Sequence, residues 1–261
     1  MTDNNIATLN KFAFRIDNAA KNATAIPQLS LEQAFSEDEA YAIQRASLVH
    51  RYERGEKLVG LKMGFTSVAK MKQMGVSDMI WGRLTDQMLY ENGAELDLSN
   101  FIHPRAEPEI CFRTTQVINK EVQHSDIPNY VDAIAPAIEI IDSRFENFKF
   151  SLEDVIADNC SSTAFVVGDW LSPETVLSNL SVHLVINGED RKSGNTDAIL
   201  GDPWKSFLAA TRLAEKYGQV IPAGSYLMAG AATAAEFLKA GDHVEAKIET
   251  LGKVMLECKN A

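Results

Sequence analysis

Gly55-Glu56-Lys57-Leu58-Val59-Gly60-Leu61-Lys62-Met63-Gly64 is where the chain changes character. Before this stretch, apolar residues recur at helical spacing. After it, they come in short runs bounded by glycine, which is strand texture. The run at 58–63 is the first of eight candidate strands; the others are 109–113, 137–141, 164–167, 182–186, 225–228, 244–249 and 254–257. Asn187-Gly188 follows one of these runs with the pair of residues that a tight hairpin prefers. The strands do not alternate strictly with helices, so a doubly wound parallel sheet fits poorly. The expected architecture is α+β: an N-terminal helical region over 1–56 and a mixed, β-rich catalytic domain over 57–261.

On the N-terminal side, Ile6, Leu9, Phe12 and Ile16 share one helical stripe. Ser36 with Glu39 three residues later has the form of a capping box, opening a second helix that runs to about Arg54. Gly55 then supplies a stop. Farther on, Asp202-Pro203 reads as a cap followed by proline at the first helical position. That helix presents Trp204, Phe207, Leu208 and Thr211 on its apolar face and closes at Gly218.

Composition narrows the function classes. In 261 residues there are 25 Lys plus Arg against 36 Asp plus Glu, a formal charge of −11. That balance argues against nucleic acid, whose affinity comes largely from cations on phosphates. Cys111, Cys160 and Cys258 share no metal-type spacing, so neither a disulfide framework nor a structural zinc site is expected. The first residues lack the cationic start and apolar stretch of a secretory signal. No apolar run is long enough to span a bilayer. A cytoplasmic protein with no membrane partner is the expectation.

Four groups of residues could carry chemistry. Glu107-Pro108-Glu109 places two carboxylates two residues apart, on one face of an extended chain. Proline disfavours helix at Glu107, which supports the extended reading. Parallel carboxylates suit a divalent hard cation, and equally a solvated strand face. Glu139 lies inside the apolar run Ala137-Ile138-Glu139-Ile140-Ile141. It is either a buried ligand or an acid on the exposed face of a half-buried strand. Lys62, flanked by Gly60 and Gly64, could bind an anionic substrate or assist proton transfer. Residues 157–163 gather Asp158, Asn159, Cys160, Ser161, Ser162 and Thr163 after a capped helix beginning near Ser151. No local histidine could activate Cys160, which reads as a packed thiol. No phosphate loop, dinucleotide fingerprint or nucleophile elbow is present.

Taken together, 60–67 (Gly-Leu-Lys-Met-Gly-Phe-Thr-Ser), 103–110 (His-Pro-Arg-Ala-Glu-Pro-Glu-Ile), 139–150 and 157–163 resemble the hydratase/decarboxylase branch of the fumarylacetoacetate hydrolase superfamily. The resemblance covers the whole chain. It implies a mixed β-roll core and a Mg2+ or Mn2+ site at Glu107, Glu109 and Glu139. It also implies catalytic roles for Lys62 and Ser161, and substrate contacts from Asn159, Ser161 and Gly230.

Two activities occur in that branch, and both serve aromatic catabolism. One is decarboxylation of 4-oxalocrotonate (2-oxo-3-hexenedioate) to 2-hydroxypenta-2,4-dienoate. The other is hydration of that product to 4-hydroxy-2-oxopentanoate. Similar hydratases carry Pro-Asp-Phe-Gly where this chain has Met79-Ile80-Trp81-Gly82, so an aliphatic Ile80 stands at the aspartate position. The stretch 141–150 and Ser161-Ser162-Thr163 are also decarboxylase-like. Decarboxylation is therefore the expected activity and hydration the alternative. The resemblance further implies a small oxo-acid substrate, self-association and a complex with the pathway hydratase. Ala164 departs from an arginine of similar decarboxylases, Asp202 from a histidine, and Ala229-Gly230-Ala231 from Thr-Gly-Gly or Thr-Gly-Ala. These departures bear on how the distal carboxylate is gripped.

Overall fold

In the computed structural model, residues 3–67, 71–72 and 75–260 are described. Helices α1 (Asp3–Lys21) and α2 (Glu37–Glu53) precede the first strand. Ser36 Oγ accepts the Glu39 backbone N–H at 3.3 Å while the Glu39 carboxylate accepts the Ser36 N–H at 2.8 Å, completing the expected capping box. Leu9, Phe12 and Ile16 of α1 and Tyr41 and Ile43 of α2 enter one apolar cluster that also contains residues of the sheet. Ile6, expected on the same stripe, is exposed. The other α-helices described are α3 (Ile127–Tyr130), α4 (Leu152–Ala157) and α5 (Pro203–Lys216). Asp202 caps α5 by accepting the Trp204 N–H at 3.0 Å.

In chain order the described strands are β1 (Leu58–Gly64), β2 (Ile80–Thr85), β3 (Leu89–Tyr90), β4 (Glu95–Asp97), β5 (Arg105–Thr114), β6 (Val131–Ile141), β7 (Ser162–Val167), β8 (Ser181–Ile186), β9 (Glu189–Asn195), β10 (Tyr226–Met228), β11 (Glu236–Phe237), β12 (His243–Ile248) and β13 (Gly252–Lys259). They form two mixed sheets. The larger runs β2-β1-β10-β5-β6-β7-β3, with β11 attached to β5; the smaller runs β4-β13-β12-β8-β9. Most pairs are antiparallel; β1–β10, β3–β7 and β4–β13 are parallel. This is the α+β, β-roll architecture expected from the sequence. Among the described residues no helix is long and apolar enough to cross a membrane.

The sheets pack face to face. Ala106, Ile138, Ile140, Ala164 and Val166 of the larger sheet meet Leu184, Val244, Ala246, Val254 and Leu256 of the smaller one. Side chains alternate across a strand, so the residues between these project from the opposite face. On β5 and β6 those residues are Glu107, Glu109 and Glu139. Glu107 lies directly opposite Glu139, and Glu109 opposite Ala137.

Strand β5 starts four residues before the expected run at 109–113, because Ala106 and Pro108 continue its buried alternation. Pro108 costs no ladder bond there. Its carbonyl accepts the Ala232 N–H at 2.9 Å, so the missing donor also faces the irregular segment after β10 and not β6. Strand β9 is the second arm of the hairpin expected at Asn187-Gly188, but it lies outside the eight candidate runs. Its residues, Glu-Asp-Arg-Lys-Ser-Gly-Asn, carry no apolar pattern, and it is an edge strand bonded to β8 alone. The β8–β9 hairpin turns at Asn187-Gly188, both at positive φ (55° and 80°), as a tight turn of that type requires.

Candidate functional site

One carboxylate oxygen from each of Glu107, Glu109 and Glu139 lies within 4.8 Å of the other two. Glu109 and Glu139 are fully buried. Like charges placed opposite each other on adjacent strands are unfavourable, and burial makes each charge costlier. Lys62, reaching in from β1, offsets part of this. Its Nζ is 3.0 Å from Glu139 Oε2 and donates to the Cys160 carbonyl at 3.0 Å. Gly230 supplies one further donor, its N–H reaching Glu109 Oε2 at 2.7 Å.

These partners do not satisfy the cluster. Glu109 Oε1 and both oxygens of Glu139 are buried and accept no well-formed hydrogen bond from the described residues. Burial, reinforced by the neighbouring Glu139, pushes the Glu109 carboxyl well above the usual carboxylate range. For Lys62, burial is the largest single influence and would depress the ammonium; the negative groups around it, Glu139 foremost with Glu107 and Glu109, together outweigh it and hold the group above its ordinary value. Converging oxygen donors with unfilled acceptor capacity fit a Mg2+ or Mn2+ ion, which takes carboxylates and completes its shell with other oxygens. The solvated-face reading of Glu109 and Glu139 is thereby ruled out.

The cluster lies beside a cavity of about 680 Å3 lined by, among others, Lys62, Thr66, Ile80, Arg105, Glu107 and Ser161. One wall is an unusual turn between α4 and β7. Asn159, Cys160 and Ser161 have φ of +49°, +54° and +60°. Left-handed backbone costs a non-glycine residue about 1–2 kcal/mol, so a run of three needs strong support. Asn159 provides some of it. Its side chain accepts the Arg83 N–H and donates to the Arg83 carbonyl, both at 2.8 Å. The buried Arg144–Asp158 ion pair provides more, with Arg144 Nη1 also donating to the Asp142 carbonyl at 2.7 Å. Burial pushes Asp158 up to about 6 against the pull of Arg144. Gly82 lets β2 pass close by, because a Cβ there would meet Ser162 Oγ at 2.9 Å.

The turn aims the Cys160 carbonyl at Lys62 and brings Ser161 to the cavity. Ser161 Oγ is buried and has no partner among the described residues. Burial pushes the Cys160 thiol up to about 12, in keeping with a packed and unreactive group.

The sequence-based candidates therefore separate. Glu107, Glu109, Glu139, Lys62 and Ser161 converge. Gly230 adjoins them through Glu109. Asn159 does not line the cavity; its amide is committed to the β2 backbone. Ala164 points into the core between the sheets, away from the carboxylates. Arg105 and Phe148 were missed and both line the cavity. Arg105 sits two residues before Glu107 on the same strand face, a signal concealed by starting the strand at 109.

Residues 71–257 match the fumarylacetoacetate (FAA) hydrolase C-terminal family. A 4-oxalocrotonate decarboxylase of Pseudomonas sp is 50% identical over 94% of this chain and 96% of that protein. A 2-keto-4-pentenoate hydratase of Paraburkholderia xenovorans (strain LB400) is 33% identical over 84% of this chain and 83% of that protein. Among solved structures, 4-oxalocrotonate decarboxylase from Pseudomonas putida G7, complexed with magnesium and adipate, superposes with a TM-score of 0.93 at 37% identity, covering 99% of this chain and 98% of that one.

Proposed function

The chain belongs to the fumarylacetoacetate hydrolase family, and from that premise we propose that it decarboxylates 4-oxalocrotonate to 2-hydroxypenta-2,4-dienoate. The observation that carries the reading is the buried triad of Glu107, Glu109 and Glu139 beside Lys62, in a cavity where position 80 is isoleucine. The identity to a 4-oxalocrotonate decarboxylase and the likeness to one holding magnesium and adipate support it. The three glutamates would hold a Mg2+ or Mn2+ ion. When bound, that ion supplies Lewis acidity that favours negative charge on a nearby oxygen.

The chain's own groups do the rest. The substrate carries its electron sink, a ketone conjugated through a double bond to the carbon bearing the distal carboxylate. As CO2 leaves, that electron pair moves through the double bond and charge builds on the keto oxygen. Lys62 has three N–H donors; the Cys160 carbonyl takes one, Glu139 holds the ammonium as its ion-pair partner, and a donor remains for that oxygen. Ser161 Oγ, unpartnered and at the cavity wall, holds a substrate oxygen. Ile80 offers no base to activate water, which disfavours hydration. Gly230 acts through Glu109 and not by touching substrate.

A spectrophotometric assay of the purified protein tests this, with 4-oxalocrotonate and Mg2+, an EDTA arm and a 2-hydroxypenta-2,4-dienoate arm. Metal-dependent CO2 release with little hydration is expected. Consumption of the dienoate alone would make the chain a hydratase and overturn the use made of Ile80. Self-association and pairing with the pathway hydratase belong to the same proposal; light scattering after size exclusion, with and without the hydratase, measures both.

A further inference from the structure

Arg105 opens β5 and shares a face with Glu107 and Glu109. Its cross-strand neighbours are Ile141 on one side and Phe237 on the other. The guanidinium carbon lies 3.9 Å from the centroid of the Phe148 ring and 4.1 Å from that of Phe237. Two local features of the fold bring these rings to Arg105. Strand β11 pairs with β5 over two residues, one of which is Phe237. Phe148 is presented by a turn in which Asn147 and Phe148 both have left-handed φ, +59° and +57°. Such strain in non-glycine residues is seldom retained without a use.

A guanidinium held against aromatic rings keeps its in-plane N–H donors for an anion. Arg105 forms no ion pair among the described residues, and its buried Nε has no hydrogen-bond partner there. The group lines the cavity. Two residues of strand advance about 7 Å, which sets the separation of Arg105 from Glu107 along the strand. Five bonds of an extended carbon chain span about 6 Å at the advance per bond of extended backbone. A six-carbon diacid held at the carboxylate triad by one end is therefore of a length that suits Arg105 at the other. Among the described residues, Lys62 sits at the triad against Glu139 and Arg144 is buried against Asp158, so neither is placed for the distal end.

We propose that Arg105, held against Phe148 and Phe237, grips the distal carboxylate of a six-carbon oxo-diacid and selects it over a monoacid. The proposal rests on the metal-triad reading above. It assigns the distal grip that Ala164, facing the core, does not provide. The distal carboxylate becomes neutral CO2, so this contact belongs to the bound substrate and fades as the bond breaks. Its loss raises KM and leaves kcat unchanged or higher.

The test is equilibrium binding to the Mg2+-loaded protein of two unreactive probes, 2-oxoadipate and 2-oxopentanoate, for wild type, Arg105→Gln and Arg105→Lys. Both probes carry the same oxo-acid head, and only the first carries a second carboxylate. Arg105→Gln is expected to weaken 2-oxoadipate about 10- to 100-fold, the size of one lost charge-assisted contact, and 2-oxopentanoate less than about twofold. Arg105→Lys, which keeps the charge, is expected to fall between. Equal weakening of both probes, or of neither, in Arg105→Gln overturns the proposal; if that variant does not fold, equal effects in Arg105→Lys do so. If the wild type fails to turn over 4-oxalocrotonate yet prefers 2-oxoadipate through Arg105, the activity fails and the grip stands.

Discussion

Replacing Gly230 by alanine should loosen the metal site while leaving the fold in place. Gly230 has φ +100°, and a Cβ there would lie 2.7 Å from Thr66 Cβ and closer still to Oγ1 and Cγ2. Thr66 is itself buried, so the new methyl is relieved mainly by moving the backbone at 230. That backbone carries the N–H that reaches Glu109 Oε2 at 2.7 Å. A shift of about 1 Å takes the contact beyond hydrogen-bonding range. A bond to a charged acceptor contributes about 1.5–3 kcal/mol. It is also the contact that orients Glu109, and losing the partner of a ligating carboxylate typically weakens metal about 10- to 100-fold. A Mg2+ titration by calorimetry should therefore show a midpoint raised by about that factor. Gly93→Ala is the control: its φ is +85° and a Cβ there meets nothing within 4 Å. Both variants carry the left-handed strain of about 1–2 kcal/mol and should melt a few degrees lower. A Gly230→Ala protein that binds Mg2+ like the wild type would refute the claim that this amide sets Glu109.

Lys62→Met removes the donor beside the developing charge, and kcat with 4-oxalocrotonate should fall by at least about 100-fold. It also strips Glu139 of its ion-pair partner, so a metal-free sample should lose stability more than a Mg2+-loaded one, as differential scanning calorimetry would reveal. Ser161→Ala deletes a buried hydroxyl that has no internal partner, so stability should stay within about 0.5 kcal/mol while kcat/KM drops. Stability unchanged together with unchanged kcat/KM would remove Ser161 from the substrate contacts. Away from the site, His243 Nδ1 lies 2.6 Å from Glu257 Oε1, and that hydrogen bond raises the imidazole above its ordinary 6.5. The stabilisation is fully present below pH 6.5 and is lost as pH rises through the raised folded value. Melting temperatures of wild type and His243→Gln should therefore converge as pH rises through that window, and a constant gap would disprove the linkage.

Several parts of this molecule were legible in the residues because the information is local. Alternation with period two is a property of a strand by itself, so Glu107 and Glu109 share a face wherever the strand packs. The Ser36–Glu39 box and the Asn187-Gly188 turn are likewise contained within four residues. The assignment of Glu139 to the same ion needed more. It came from the resemblance of four motifs and not from spacing, because β5 and β6 are separated in sequence and their register is decided by packing.

The tertiary structure alone decided the rest. Asn159 sits in a polar motif that suits ligand contact, yet its amide is taken by the Arg83 backbone, a partner 76 residues away. Ala164 sits at a position the motifs associate with arginine, yet strand alternation turns it toward the second sheet. Arg105 lies against the rings of Phe148 and Phe237, one presented by a left-handed turn and the other by a two-residue strand. A sequence specifies which way a side chain leaves its own backbone. What it meets there depends on segments brought together by burial, and that meeting makes one polar residue a structural clamp and another a candidate for holding substrate.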